Sequence, residues 1–220
     1  MKTAWIITFF LVFITQDVSS QSNRSSFCST LFVEGKIHSS FIIPHHTEMW
    51  VLTGGFFPSY ELTLIRQTLG KDSYMYLRRY PRIGLTYRYS DFGGSKYLGV
   101  SHAFMPFVNL HVLQINRLQL DFMVALGVGY VTKKYHPTAN YKNRAIGSNL
   151  NASVNFQLQA RWPLTKITEF SSGISMQHIS NGTFNTPNYG LNIPGFFAGL
   201  TFKLNNKEII YQKPDTLILK

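Results

Sequence analysis

Greasy and polar positions alternate along much of this chain. Over 117–130 the even positions are Leu118, Leu120, Phe122, Val124, Leu126, Val128 and Tyr130, while the odd ones are Arg117, Gln119, Asp121, Met123, Ala125, Gly127 and Gly129. Over 149–162 the pattern repeats: Leu150, Ala152, Val154, Phe156, Leu158, Ala160 and Trp162 alternate with Asn149, Asn151, Ser153, Asn155, Gln157, Gln159 and Arg161. Successive side chains of a strand point to opposite faces, so each run predicts a strand with one apolar and one polar or small face. A strand of a soluble sandwich is usually about 5–6 residues long. These runs exceed the roughly 9–11 residues of a strand that crosses a bilayer.

Weaker alternation fills in the rest. Tyr60, Leu62 and Leu64 alternate with Glu61 and Thr63; Ile83, Leu85, Tyr87 and Tyr89 alternate with Gly84, Thr86, Arg88 and Ser90. Phe196, Ala198, Leu200, Phe202 and Leu204 alternate with Phe197, Gly199, Thr201 and Lys203. With vaguer strands near 32–43 and 97–107, and one ending at Ser180, the expected total is eight. An even number closes an antiparallel barrel with no free edge, and eight is the smallest usual size. The predicted fold class is therefore all-β: an eight-stranded antiparallel transmembrane β-barrel over 21–204. Its lumen would be filled by Asn, Gln, Arg and Asp side chains, which argues against a general porin. Turns fall at Asp91-Phe92-Gly93-Gly94 and Pro163-Leu164-Thr165, a long basic loop at 133–147, and a short tail at 205–220.

Composition fits an exported barrel. The chain is 15% aromatic, with 18 Phe and 12 Tyr, and only 14% charged, against about 25% in average soluble domains. Lys2 followed by an apolar run and then Val18-Ser19-Ser20 predicts a signal peptide over 1–20. A single cysteine, Cys28, excludes an intramolecular disulfide framework. Net charge is +11, and loss of 1–20 leaves it unchanged because Lys2 and Asp17 cancel. An exported cation meets anionic lipid head groups rather than nucleic acid. Lysines and arginines that merely solvate loops and lumen would explain the charge equally well.

Candidate chemistry lies on the strand that ends at Ser180. His178 and Ser180, two residues apart, share a face with Phe170, Ile174 and Met176, while Ser171, Gly173, Ser175 and Gln177 take the other. A base and a hydroxyl nucleophile on the greasy face would look outward toward lipid. The Gly/Asn/Pro-rich segment that follows, from Asn181 and Gly182 to Asn188, can turn backbone N–H groups and amides toward an oxyanion. By spacing alone, H-x-S also fits a polar pair at a membrane interface.

His178-Ile179-Ser180-Asn181, followed by Pro187-Asn188-Tyr189-Gly190-Leu191-Asn192, resembles the PagL-type lipid A 3-O-deacylases, and more closely their acyloxyacyl-hydrolase relatives of Bacteroidetes outer membranes. Pro44-His45-His46-Thr47-Glu48-Met49, Tyr80-Pro81-Arg82-Ile83-Gly84, the segment 127–135 and the segment 145–152 extend the likeness through most of the chain. The resemblance implies a cofactor-free serine esterase of the bacterial outer membrane that removes a fatty acyl chain from lipid A. It implies Ser180 as nucleophile, His178 as base and Asn181 as an oxyanion stabiliser. The family's P-N-x-G-x-E pattern places its acid where this chain has Asn192. An asparagine can orient an imidazole but carries no charge to stabilise the imidazolium. That departure keeps open the alternative of a non-catalytic barrel with a structural, adhesive or lipid-binding role. His45, His46 and Glu48 invite a metal, but adjacent histidines in a strand would point to opposite faces, so no metal site is expected.

Overall fold

The computed structural model describes residues 30–70, 73–93 and 96–214; the expected signal peptide and Cys28 lie outside them. Eight antiparallel strands close into a barrel in chain order, with β8 pairing back onto β1. They are β1 (Leu31–Ser40), β2 (Phe57–Gln67), β3 (Arg82–Asp91), β4 (Val100–Ile115), β5 (Leu118–Val131), β6 (Leu150–Pro163), β7 (Thr168–Ser180) and β8 (Leu191–Lys203). Period-two alternation dictates which side of the wall each residue takes. Leu62, Leu64, Leu126, Leu150 and Phe196 are exposed on the outside, while Glu61, Thr63, Asn151, Ser153, Asn155 and Gln157 are buried inside. Closure pairs every strand on both edges, so the apolar wall carries no unpaired backbone edge.

Two strands run further than the alternation suggests. β4 reaches Ile115 because a bulge between His111 and Leu113 shifts the phase of its side chains, and an extra residue at a bulge breaks a two-residue period. β8 starts at Leu191 because its first inward residues, Leu191 and Ile193, are apolar rather than polar.

The reason for those inward apolar residues is a plug at one end of the barrel. Ile42, Met49, Leu52, Phe57, Phe92, Leu98, Val131, Ala145, Ile146, Ile179, Leu191 and Ile193 form one buried cluster. They come from strand ends and from the long connections 41–56, 92–99 and 132–149, with a 3-10 helix over Thr47–Leu52 contributing Met49 and Leu52. The opposite end has the two-residue connection 116–117, the short 164–167, and 68–81 with a short helix α1 (Ser73–Leu77). Residues 205–214 fold back there: Gln212 N–H donates to Leu69 O at 2.7 Å, and the Tyr80 and Tyr211 rings lie 4.5 Å apart.

Between the two ends the lumen is polar and charged. Lys36 Nζ lies 3.0 Å from Glu34 and 3.3 Å from Glu61, and donates to Gln157 Oε1 at 2.9 Å. Gln157 Nε2 returns to Glu61 at 2.9 Å, and His38 Nε2 is 3.2 Å from the same carboxylate. Toward the end opposite the plug, Arg82 grips Glu169 through two hydrogen bonds of 2.7 and 2.8 Å. Arg161 joins Glu169 at 3.0 Å and also bonds Asp121. Buried charges are costly unless paired and hydrogen-bonded, and these two clusters are both; Arg88, also fully buried, donates only to Ser40 Oγ at 3.0 Å, with its Nε and Nη1 left without a hydrogen bond among the described residues. Asp121 and Glu61 thus point inward, as the alternation predicts.

Candidate active site

The β7–β8 register brings the site together. Residues 178 and 180 are even-numbered outward positions of β7, and β8 returns antiparallel beside it with His178 opposite Asn192. A separation of 14 residues in the chain becomes a direct cross-strand pair on the outer wall. His178 Nδ1 and Asn192 Oδ1 are 2.7 Å apart. An amide oxygen only accepts, so the histidine carries its proton on Nδ1 and presents a lone pair on Nε2. His178, Ser180 and Asn192 are all half-buried.

Gly190 holds the approach to the pair. Its φ is +76°, in the left-handed region that favours glycine, and a Cβ there would meet His178 Cε1 at 2.9 Å, Ser180 Cβ at 3.2 Å and His178 Nε2 at 3.3 Å. The ring nitrogen and the serine therefore flank one point next to the Gly190 backbone. Gly190 is pinned from above, its N–H donating to Ala145 O at 2.9 Å and that of Tyr189 to Arg144 O at 3.2 Å. Ala145 and Ile146 sink into the apolar plug, so the long 132–149 connection packs the site's backbone against the barrel core. Asn143, fully buried, ties that connection down by donating to Tyr97 O at 3.0 Å and Lys133 O at 2.8 Å.

Asn181, the oxyanion stabiliser that the resemblance implies, is held in several hydrogen bonds. The Asn181 amide donates to Ser148 Oγ at 2.8 Å and to Asn185 O at 3.0 Å, while its Oδ1 accepts the Thr183 N–H at 2.9 Å. Its backbone N–H donates to Asn188 Oδ1 at 3.2 Å. Asn181 thus ties the loop to itself and, through Ser148, to the 132–149 connection. The Asn188 amide nitrogen and the exposed Gly182 N–H make no hydrogen bond among the described residues.

His45 is the residue that the sequence reading did not place here. Its Nδ1 lies 3.3 Å from Asn192 Nδ2 and its Nε2 lies 2.9 Å from Tyr189 O. His45 and His46 do not continue a strand but lead into the 3-10 helix over Thr47–Leu52, so strand alternation does not set their faces. The two rings lie 4.9 Å apart, with His46 stacked on Tyr189 at 4.1 Å. Glu48 turns to Arg144 instead, at 3.7 Å. Among the described residues no carboxylate hydrogen-bonds to His178, Asn192 or His45. No three metal-ligating side chains come together among them either. The arrangement is an imidazole beside a hydroxyl on the outer wall, with the imidazole hydrogen-bonded to an amide that a second imidazole contacts in turn.

A family model described as Lipid A 3-O-deacylase (PagL) matches residues 59–201, which include His178, Ser180 and Asn192. No curated protein matches the chain. Among solved structures, Neisserial surface protein A aligns with a TM-score of 0.52 at 8% identity, over 79% of this chain and 96% of that one. The outer membrane enzyme PagL aligns with a TM-score of 0.47 at 15% identity, over 78% of this chain and 98% of that one. Outer membrane phospholipase A from Escherichia coli gives a TM-score of 0.26 at 10% identity, over 80% and 94%.

Proposed function

The chain belongs to the lipid A 3-O-deacylase (PagL) family, and from that premise we propose that it is an outer-membrane serine esterase that removes an ester-linked fatty acyl chain from lipid A. The observation that carries this reading is the 2.7 Å His178–Asn192 hydrogen bond, which leaves Nε2 basic on the same outward face as Ser180. His178 Nε2 takes the Ser180 proton as the serine oxygen attacks the ester carbonyl. The Gly182 N–H and the Asn188 amide are the free donors for the resulting oxyanion. Collapse returns the proton to the departing sugar hydroxyl and leaves an acyl-serine. Water, deprotonated by the same histidine, then releases the fatty acid.

Asn192 orients the imidazole but gives the imidazolium a dipole in place of a charge, so a slower base is expected than in a carboxylate triad. Residues 1–20 serve as the export signal, 21–204 as the barrel and 205–220 as its tail. Long connections gather at the end that carries Ser180, and outer-membrane barrels direct such loops outward, where lipid A fills the outer leaflet. Lys133, Lys134, Lys142 and Arg144 in the 132–149 connection suit its phosphates. A non-catalytic lipid-binding barrel is the second reading, favoured by the missing carboxylate at Asn192.

Mass spectrometry of lipid A from a Gram-negative host expressing the chain separates the two. Loss of one acyl chain, abolished by more than about a thousandfold in Ser180→Ala, supports the esterase. Unaltered lipid A beside a folded barrel removes it for this substrate.

A further inference from the structure

Asparagine, unlike glutamate, has two different ends, so its value to His178 depends on which end faces the ring. If the amide turned over, an N–H would face His178 Nδ1 and drive the ring's proton to Nε2, the wrong nitrogen for a base. Something must hold Asn192 the right way round, and the hydrogen bonds around it settle the direction from a single fixed point. Tyr189 O is a backbone carbonyl and can only accept, so His45 Nε2, 2.9 Å away, carries the proton. With the proton on Nε2, the His45 Nδ1 is the accepting nitrogen, and Asn192 Nδ2 at 3.3 Å donates to it. That leaves Asn192 Oδ1 facing His178 Nδ1 at 2.7 Å, which must donate. Ile43 O also lies near His45 Nδ1, but at 3.5 Å it has a weaker claim on the ring's proton than Tyr189 O at 2.9 Å from Nε2.

We propose that His45 is a positioning residue which fixes the Asn192 amide, and through it the His178 tautomer, so that an uncharged relay does the orienting work of the absent carboxylate. This rests on reading Ser180 and His178 as nucleophile and base. The backbone also prepares it: Ile43 bridges to Asn192 on the strand beside it, with Ile43 N–H donating to Asn192 O at 3.0 Å. The segment carrying His45 is thereby docked on β8 at the level of the site.

Two measurements on the full-length barrel in detergent micelles test the proposal separately from the reading it rests on. Nitrogen NMR of the 15N-histidine-labelled protein, with His178 assigned through His178→Gln, reports the tautomer without any turnover. We expect Nδ1–H in the wild type, a mixture in His45→Ala, and Nδ1–H again in His45→Gln, whose amide oxygen can accept from Asn192. An unchanged tautomer in His45→Ala overturns the proposal. With lipid A as substrate, His45→Ala should lower kcat about tenfold at unchanged KM, the usual scale for loss of a supporting partner behind a functional group. In an Asn192→Asp background, where both oxygens accept, the same change should cost less than about threefold. Equal losses in both backgrounds, or a change in KM alone, would also overturn it. A wild type with no Ser180-dependent turnover removes the esterase reading, and the tautomer result then still decides what His45 does.

Discussion

The molecule contains two polar networks that differ in charge. Inside the barrel, Glu34, Lys36, His38, Glu61 and Gln157 form a buried network of ion pairs, with Arg82, Asp121, Arg161 and Glu169 in a second. On the outer wall, His178, Asn192 and His45 are linked with no carboxylate at all. The contrast shows what each setting requires. In the lumen these ions are held in mutually paired sets, so the members lock one another and the wall around them. On the wall His178 and Asn192 are half-buried, His45 is exposed, and few partners lie within reach. There, direction rather than charge carries the information, passed from a backbone carbonyl through two rings and an amide.

The comparison breaks most visibly in the lumen. Lys36→Met strands Glu34 and Glu61 inside the barrel and should destabilise it by about 3–5 kcal/mol, read as a lower heat-unfolding midpoint by gel mobility. The protein that remains folded should retain its kcat, because neither carboxylate reaches the wall. If activity falls in step with that single change, the two networks are coupled and the distinction fails.

At the wall, Gly190→Ala forces a methyl against His178 Cε1 and Ser180 Cβ from a left-handed backbone. A displacement of about 1 Å at the reacting groups is worth roughly a hundredfold in rate, and that loss should appear with little change in the unfolding midpoint. Asn192→Asp sharpens the contrast from the other direction. Charge-assisted hydrogen bonds are about twice as strong as neutral ones, so restoring the carboxylate should raise kcat roughly tenfold; an unchanged or lower rate would mean that the missing charge does not limit this site. The smallest effect belongs to the solvent-exposed Arg144–Glu48 pair at 3.7 Å. Arg144→Ala should shift stability by less than about 1 kcal/mol, and a larger loss of turnover than of stability would point to contact with lipid phosphate.

The barrel was legible wherever alternation ran unbroken. The expected runs 117–130 and 149–162 differ by one residue at each end from β5 (Leu118–Val131) and β6 (Leu150–Pro163). It was under-read where alternation failed for a local reason, at the β4 bulge and at the apolar inward start of β8. His178, Ser180 and Asn192 could be picked out because a polar pair interrupts a greasy face and a motif follows it. His45 could not, since its neighbours in the chain suggest a strand and its partner Asn192 lies 147 residues away. The tying of Asn181 into its own loop was equally hidden, because a sequence does not say which of several amides a turn will consume.

Short-range periodicity, readable along the chain, thus fixes which residues face outward, which face the lumen, how many strands close the wall, and that a histidine and a serine share the outer side. How groups far apart in the chain meet depends on the closed fold. The β7–β8 register sets Asn192 against His178, the 132–149 connection presses Gly190 onto the pair, and the folded segment before the 3-10 helix brings His45 behind the amide. A pleat repeats every two residues and can be read along one strand. A hydrogen bond between strands, and the direction in which its proton points, exists only once the barrel has closed.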